Sequence, residues 1–532
     1  MPERRRKFWG WGWEGEGLTS EELKLLDPIW AKRLDLAAFD ITPPPTAEEI
    51  SLRPPRITIP SSLKDICTPG HYERLTHSYG KSFPDSVRIF QRDFSNPPDI
   101  IALPRTEQDI VDIFDWCVSA GAAAIPFGGG SSVVGGVEPP RSENYPATVT
   151  IDLRHLGQVL EIDPVSEAAR IQAGTYGPAL EAQLKPSGLT LRHFPQSFEF
   201  STLGGWIATR SGGHFATLHT HIDELVESLR VVTPRGVIET RRLPGDGAGP
   251  SADRLFIGSE GIFGIITEAW MRLRKRPTFR SGTTVKFADF YKAADAVRVI
   301  SQAGLYPANC RLLDAEEAAM AGAGDGRHAL LVLAFESADH PLGAWMNRTL
   351  EICGDYGGEY DLAALEKSSS HREGAAGAWR NAFVRACYLR ENLTARGVLS
   401  DTFETAITWE RFADFHTNLK DEVQRVIAEV TGNRAWVTCR FTHIYPDGPA
   451  PYFTFVSMGN KEKLLDQFYT VKHAASDALI RHGGTITHHH AVGRMHRPQY
   501  DLQRPELFAE GLRAAKREFD PKWILNPGVL ID

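Results

Sequence analysis

Three adjacent histidines, His488, His489 and His490, form the most concentrated set of proton-exchanging side chains in the chain. Imidazoles gain and lose protons near neutral pH, so the run suits acid–base work; a metal tract and a solvated polar turn are the other readings. Metal binding needs convergent ligands, whereas neighbours on an extended strand face opposite ways. His488 and His490 would then share one face and His489 the other, and no metal is expected. Tyr452 follows the turn YPDG and opens the aromatic strand PYFTF, where core packing and proton transfer are both open. Arg311 precedes Leu312 and Leu313, and Arg390 follows Cys387 to Leu389. A guanidinium in apolar surroundings needs an anion, which a structural carboxylate or a bound phosphate can supply.

A glycine loop reads Pro126-Phe127-Gly128-Gly129-Gly130-Ser131-Ser132. Consecutive glycines let several backbone N–H groups converge, and the serines add hydroxyls, as a pyrophosphate requires. The loop is not a P-loop, since no Gly-Lys-Ser/Thr follows, and it does not match GxGxxG. Two further stretches, PQSFEFSTLGGWIATRSGG (Pro195–Gly213) and IGSEGIFGIITE (Ile257–Glu268), mix small residues with hydroxyls, as suits backbone packed on a flat cofactor.

The surrounding pattern predicts the supporting elements. Thr106–Ala120 reads as an amphipathic helix between the strand DIIALPRT and the strand entering the glycine loop. ATVTIDL follows as a strand with β-branched residues, and then QVLEIDP and AARIQAG resemble a β-meander. From Pro277 onward, strand–helix–strand patterns suggest an antiparallel sheet covered by helices. Helices are expected at Leu18–Leu36, Trp409–Val430 and Lys461–His482, and the tail ILNPGVLI should return to the first domain. The expected class is α+β, divided at 1–94, 95–277, 278–500 and 501–532. With 532 residues, several cores are needed. A net charge of −8 disfavours nucleic-acid binding, and six scattered cysteines suit a reducing compartment. Neither a membrane-spanning run nor a secretory signal is evident, so a cytoplasmic protein is expected. The start, MPERRRKFWGWGW, is basic and aromatic; packing on the protein's own surface is preferred over a membrane headgroup contact.

The glycine loop and the two stretches after it, in this order, resemble the FAD domain of the vanillyl-alcohol oxidase superfamily. FSTLGGWIATR, VTPRGVIE, NCRLLD, YLREN, SDTFETAITWER, CRFTHIYPDGPAPYFTF and GGTITHHHAVGRMHR resemble the alkyl-dihydroxyacetonephosphate synthases within it. The family's GGGTS is Gly-Gly-Gly-Ser-Ser here, and its EGTLG is Glu-Gly-Ile-Phe-Gly. The resemblance implies a two-subdomain FAD-binding domain plus a cap domain. It places FAD against Pro126–Ser132, Gln196-Ser197-Phe198-Glu199-Phe200-Ser201-Thr202, Thr209-Arg210-Ser211-Gly212 and Glu260-Gly261-Ile262-Phe263-Gly264-Ile265-Ile266. Covalent members attach FAD through a histidine in or near the glycine loop; serines stand at those loop positions here, so non-covalent FAD is implied, and His214 lies nearby.

The implied reaction exchanges the acyl group of acyl-dihydroxyacetone phosphate for a long-chain fatty alcohol through a flavin N5 adduct. Tyr452 and His488–His490 would handle protons, Arg311 would support the site, and Arg390 would hold phosphate. The rival is a 2-hydroxyacid dehydrogenase of the same fold, but Tyr452 stands where its metal-binding histidine is expected after Asp447-Gly448. A non-catalytic flavoprotein is the third reading. A peripheral membrane contact and a homodimer complete the expectations.

Overall fold

The computed structural model describes residues 5–215, 217, 220–361 and 374–532, with side chains of the helix Gly374–Ala395 described from 385 onward. Met1–Arg4, part of the basic start, lie outside the described residues. Short runs rich in β-branched and alanine residues form the first sheet: Ile100–Ala102, Thr148–Asp152 and Ala123–Phe127 pair in parallel, with Cys67–Thr68 antiparallel at the edge. The helix Glu107–Ala120 packs on this sheet. It starts at a Thr106/Asp109 capping box and stops at Gly121, whose φ of +64° suits glycine. Thr148–Asp152 lies in a different sheet from the next two strands, Val159–Asp163 and Ala168–Gln172, which pair antiparallel with each other. It is buried along its whole length at the centre of a parallel sheet, a position that continuous apolar and β-branched sequence favours.

The next sheet is antiparallel and five-stranded, ordered Val159–Asp163, Ala168–Gln172, Ile265–Arg272, Val226–Thr233, Gly236–Glu239. Its apolar face joins the first sheet in one core. The second core surrounds a six-stranded antiparallel sheet ordered Phe279–Phe287, Ala329–Ser337, Asn309–Leu313, Ala435–Ile444, Pro449–Met458, Val398–Glu404. Helices Phe290–Gln302, Gly343–Asp355, Trp409–Thr431 and Leu464–Arg481 bury their apolar stripes against this core. The class is α+β, a two-part FAD-type domain with an antiparallel, helix-covered cap.

The tail returns to the strand that feeds the glycine loop. Ala124 N–H donates to the Ile524 carbonyl at 2.7 Å, and Asn526 N–H donates to the Ala124 carbonyl at 2.9 Å. One buried lysine secures this return. Lys516 Nζ donates to the carbonyls of Ile262 (2.6 Å) and Leu525 (2.7 Å) and to Asp520 (2.6 Å). Both members of the ion pair are buried, and burial lowers the Lys516 pKa to about 8. Removing one partner of such a pair leaves a buried, uncompensated charge. Asp520→Ala should cost roughly 3–5 kcal/mol. Urea unfolding monitored by tryptophan fluorescence measures this, and an unchanged midpoint would show that the pair does not hold the tail.

Candidate active site

The strand Ala123–Phe127 delivers the glycine loop to the mouth of a cavity of about 380 Å³ between the two cores. Gly128, Gly129, Gly130, Ser131 and Ser132 line it, facing Gln196, Ser197, Ser201, Thr202, Thr209, Ser211 and Gly212. The glycines are required by close approach. A Cβ on Gly129 would stand 1.9 Å from the Phe200 carbonyl oxygen, and one on Gly128 would stand 2.3 Å from Thr202 Oγ1; Gly130 has φ +67°. The Thr202 hydroxyl is buried without a hydrogen-bond partner, so a polar atom in the lining is left for a ligand. Ser132 is otherwise engaged: its hydroxyl accepts N–H bonds from Gly136 (2.9 Å) and Val134 (3.4 Å), closing the following turn. Small residues, hydroxyls and a glycine cradle fit an FAD pyrophosphate and ring system.

Other residues of the expected cofactor set stand behind this lining. Phe127 packs on His77, Phe198 stacks on Trp206, and Phe200 meets Trp11 and Tyr388. Glu199 is exposed, and Arg210 pairs with Asp223 at 3.2 Å. Glu260–Ile266 does not line the cavity. Gly261 abuts Pro126, while Ile262, Phe263, Ile265 and Ile266 are core. Glu260 accepts N–H bonds from Val492 and Gly493, both at 2.9 Å, and burial raises its pKa to about 7.

Across the cavity the cap contributes charge. Arg390 Nη1 donates to Asp401 Oδ1 at 2.7 Å, and Lys472 approaches the same carboxylate at 3.7 Å. The Asp401 carboxyl is buried; Arg390 and Lys472 nevertheless hold its pKa below the usual range. Arg390 thus has a structural carboxylate partner, and that carboxylate is shared between two cations. Arg440 pairs with Glu317 and lies 3.9 Å from the Tyr452 ring centroid. Arg311 is buried beside them, donates to the His214 carbonyl at 3.2 Å, and has its pKa lowered to about 9 by burial and by Arg440. His214 itself meets Asn309 at 3.3 Å. The Tyr452 hydroxyl donates to Thr402 Oγ1 at 3.0 Å, and burial raises its pKa.

The histidine triplet does not form an extended strand. Its three consecutive N–H groups converge on the buried Glu404 carboxylate, with distances of 2.8 Å from His488, 3.1 Å from His489 and 3.0 Å from His490. The Thr487 hydroxyl adds a bond at 2.5 Å. This nest bends the chain, so alternation fails: His489 and His490 line the cavity together, and His488 turns to Tyr445 (2.7 Å) and His221 (3.2 Å). Burial pushes the Glu404 pKa up, but the histidines, His489 foremost, bring it well below its usual range. Burial lowers His490 to about 3 and His488 far below its ordinary value, so both are neutral at pH 7.

Sequence reading missed His443, His221, Tyr445, Arg440, Asp401 and Glu404. A register shift between Phe441 and His443 breaks the strand's alternation, and Thr442 and His443 both line the cavity. His443 donates to the Gly213 carbonyl at 2.9 Å. Its ring nitrogens and those of His488 and His489 come within 4.8 Å of one another, a spacing that also admits a metal ion. The tyrosine–histidine–cation arrangement can accept and donate protons beside an anionic substrate. The basic, aromatic N-terminus packs inward: Lys7, Phe8 and Trp11 are buried, and Trp11 lines the cavity.

Glu404→Gln replaces one acceptor oxygen with an N–H donor that opposes the nest. Turnover should fall by about two orders of magnitude, the scale of a displaced acid–base group, with the fold kept. Activity assays alongside circular dichroism check this, and near-normal turnover would show that the nest does not set the histidines. Gly129→Val, driven into the Phe200 carbonyl, should abolish stoichiometric FAD; the flavin absorbance ratio of the purified variant measures it.

Comparison with known proteins agrees with this architecture. Residues 98–241 match the FAD binding domain model, and residues 276–530 match the model of the C-terminal domain of FAD linked oxidases. The alkyldihydroxyacetonephosphate synthase of Dictyostelium discoideum is 32% identical, covering 93% of this chain and 84% of that protein. The synthase of Trypanosoma brucei brucei is 31% identical over 86% of this chain and 77% of its own. A solved alkyldihydroxyacetonephosphate synthase structure superposes with a TM-score of 0.81 at 27% identity, covering 98% of this chain and 97% of its own. The two halves of the fold and the relatives thus agree, and the chain belongs to the alkyldihydroxyacetonephosphate synthase family of FAD-dependent enzymes.

Proposed function

We propose that the protein exchanges the acyl group of acyl-dihydroxyacetone phosphate for a long-chain alcohol, forming an ether-linked phosphate and a free fatty acid. One observation carries the reading. A single cavity joins the glycine loop, the polar cluster of Arg390, Tyr452, His489 and His490, and an apolar end made by Trp30, Met320, Leu393 and Val456. A phosphate headgroup and an alkyl chain need those two surroundings side by side.

Bound FAD supplies an electron-poor ring that takes up and returns an electron pair from the substrate carbon, so the exchange carries no net redox change. Gly128–Ser132 would hold its pyrophosphate, with Gln196–Thr202 and Thr209–Gly212 along the flavin and Glu260–Ile266 backing the loop. Arg390 presents its planar fork to the phosphate while Asp401 fixes its orientation. Arg311 adds positive charge behind the site. Tyr452 is a protonated phenol at neutral pH, so it takes the proton of the substrate carbon only as it passes its own to a neutral imidazole, and returns it by the reverse transfer. His489 and His490 flank it, with ring centroids 6.0 and 5.4 Å away, and His490 is a neutral acceptor. One carbon–oxygen bond to the departing carboxylate breaks, one to the alcohol oxygen forms, and the alcohol's proton is released. The same apolar end suits substrates drawn from a membrane surface, so a peripheral membrane contact accompanies the reading; among the described residues no helix is long and apolar enough to cross a membrane.

The test is to incubate the yellow protein with acyl-dihydroxyacetone phosphate and hexadecanol and to measure ether and fatty acid by mass spectrometry. Equal amounts of the two products are expected, and acid should release the flavin into the supernatant. Reduction of a dye by a 2-hydroxyacid without ether formation would overturn the reading. Arg390→Lys keeps the charge but loses the fork. A charge-assisted hydrogen bond is worth about 1.5–3 kcal/mol, so the KM for the phosphate substrate should rise about ten-fold or more. The KM for the alcohol should change far less; equal effects on both would make Arg390 only the structural partner of Asp401.

A further inference from the structure

The segment Arg5–Trp13 folds into a small closed strap, with Lys7 N–H donating to the Gly12 carbonyl at 3.0 Å and Glu14 N–H to the Arg5 carbonyl at 2.8 Å. It reaches both halves of the site. On the FAD side, Arg6 Nη1 donates to the Gly129 carbonyl at 3.1 Å and a second guanidinium nitrogen bonds the Tyr176 hydroxyl. On the cap side, buried Glu391 accepts the Trp11 N–H at 2.7 Å and pairs with buried Lys7 at 3.4 Å. Glu391 lies in the same helix as Arg390. Close contact fixes the strap's sequence there: a Cβ on Gly10 would stand 2.2 Å from Glu391 Oε2. Trp11 packs on Phe200 at 5.6 Å and walls the cavity.

The bond to Gly129 matters because of what the loop must do. A peptide group whose carbonyl is held outward presents its neighbouring N–H inward. Two loop carbonyls are held in this way, Gly129 by Arg6 and Ser132 by the Lys81 N–H at 2.6 Å. The loop's amides are thereby pre-arranged as an anion cradle. Arg6 and Lys7 also bring positive charge to a loop read as holding two phosphates, while the one carboxylate of the strap's latch, Glu391, lies on the cap side.

We propose that the N-terminal strap is part of the cofactor site: Arg6 is a positioning residue that sets the glycine loop for the pyrophosphate, and the Lys7–Glu391–Trp11 latch ties that loop to the helix bearing Arg390. The proposal rests on the glycine loop being the pyrophosphate site. Strap closure and dinucleotide binding then favour each other, because linkage is reciprocal.

The experiment uses the full chain, stripped of flavin and then reloaded. FAD and ADP are titrated by fluorescence and calorimetry, and trypsin cleavage at Arg5, Arg6 and Lys7 is followed by mass spectrometry. Wild-type protein should be protected at these sites by FAD and also by ADP, which carries the pyrophosphate without the flavin. Arg6→Met should raise the Kd for both ligands about ten-fold, the loss expected for one charge-assisted hydrogen bond, and Arg6→Lys should recover part of it. Lys24→Met, which removes an exposed charge outside the strap, should leave the Kd unchanged. Unchanged affinity in Arg6→Met, with cleavage indifferent to either ligand, overturns the proposal while leaving the cofactor reading intact. Failure of wild-type protein to bind ADP or FAD competitively overturns the cofactor reading instead. If Arg6→Met does not fold, ligand protection of the wild-type strap decides the matter alone.

Discussion

Glu404 is a fully buried carboxylate at the end of the strand Val398–Glu404, and the shape of the site depends on it. A carboxylate in that position must collect donors, and it takes three consecutive backbone N–H groups together with the Thr487 hydroxyl. Three successive amides pointing at one anion cannot belong to an extended strand. The chain therefore bends, and two imidazoles that would otherwise face apart are delivered to the same cavity wall. The third is withdrawn to Tyr445 and His221, where His443 also packs. The strand supplying Glu404 pairs directly with the strand supplying Tyr452, residue opposite residue, so acid, histidines and phenol share one rigid frame.

The remaining charges follow a similar economy of partners. Arg390 and Lys472 converge on Asp401, and Arg440 is matched to Glu317. Burying so many ions is costly in free energy unless each is held by well-placed partners. Their concentration around one cavity is what an anionic substrate would need. The apolar end built from Trp30, Leu393 and Val456 lies outside this charged zone, so headgroup and chain meet different surroundings within one enclosure.

The FAD-type half achieves its geometry by backbone proximity more than by charge. Gly129 lies against the Phe200 carbonyl, and Gly261 against Pro126, so the loop, the following stretch and Glu260–Ile266 are packed at distances that exclude side chains. Lys516 and Asn526 then hold the returning tail with bonds to backbone carbonyls, and Asn526 reaches both Gly136 and Glu260. The glycines that suggest a phosphate cradle are also points of closest backbone approach in this packing.

Much of this was legible in the sequence because it depends on local pattern. The helix Glu107–Ala120 is bounded by its own cap, Thr106, and stop, Gly121, and the antiparallel cap domain follows from alternating strand and helix signals. The glycine loop and the stretch Pro195–Gly213 are contiguous motifs, which is why their grouping around one cavity could be anticipated, whereas Glu260–Ile266 packs behind the loop. Tertiary structure decided what depends on residues distant in sequence. Thr148–Asp152 joined a parallel sheet because its partners lie some twenty to fifty residues earlier, and Arg390 acquired Asp401 across a turn that no spacing rule specifies. The orientation of His488–His490 was set by a carboxylate more than eighty positions away, whose donor requirement overrides strand alternation. Sequence thus determined which chemical groups the protein carries and the elements they sit on, whereas their facing was decided by the demand of buried charges for partners, which only the folded chain can meet.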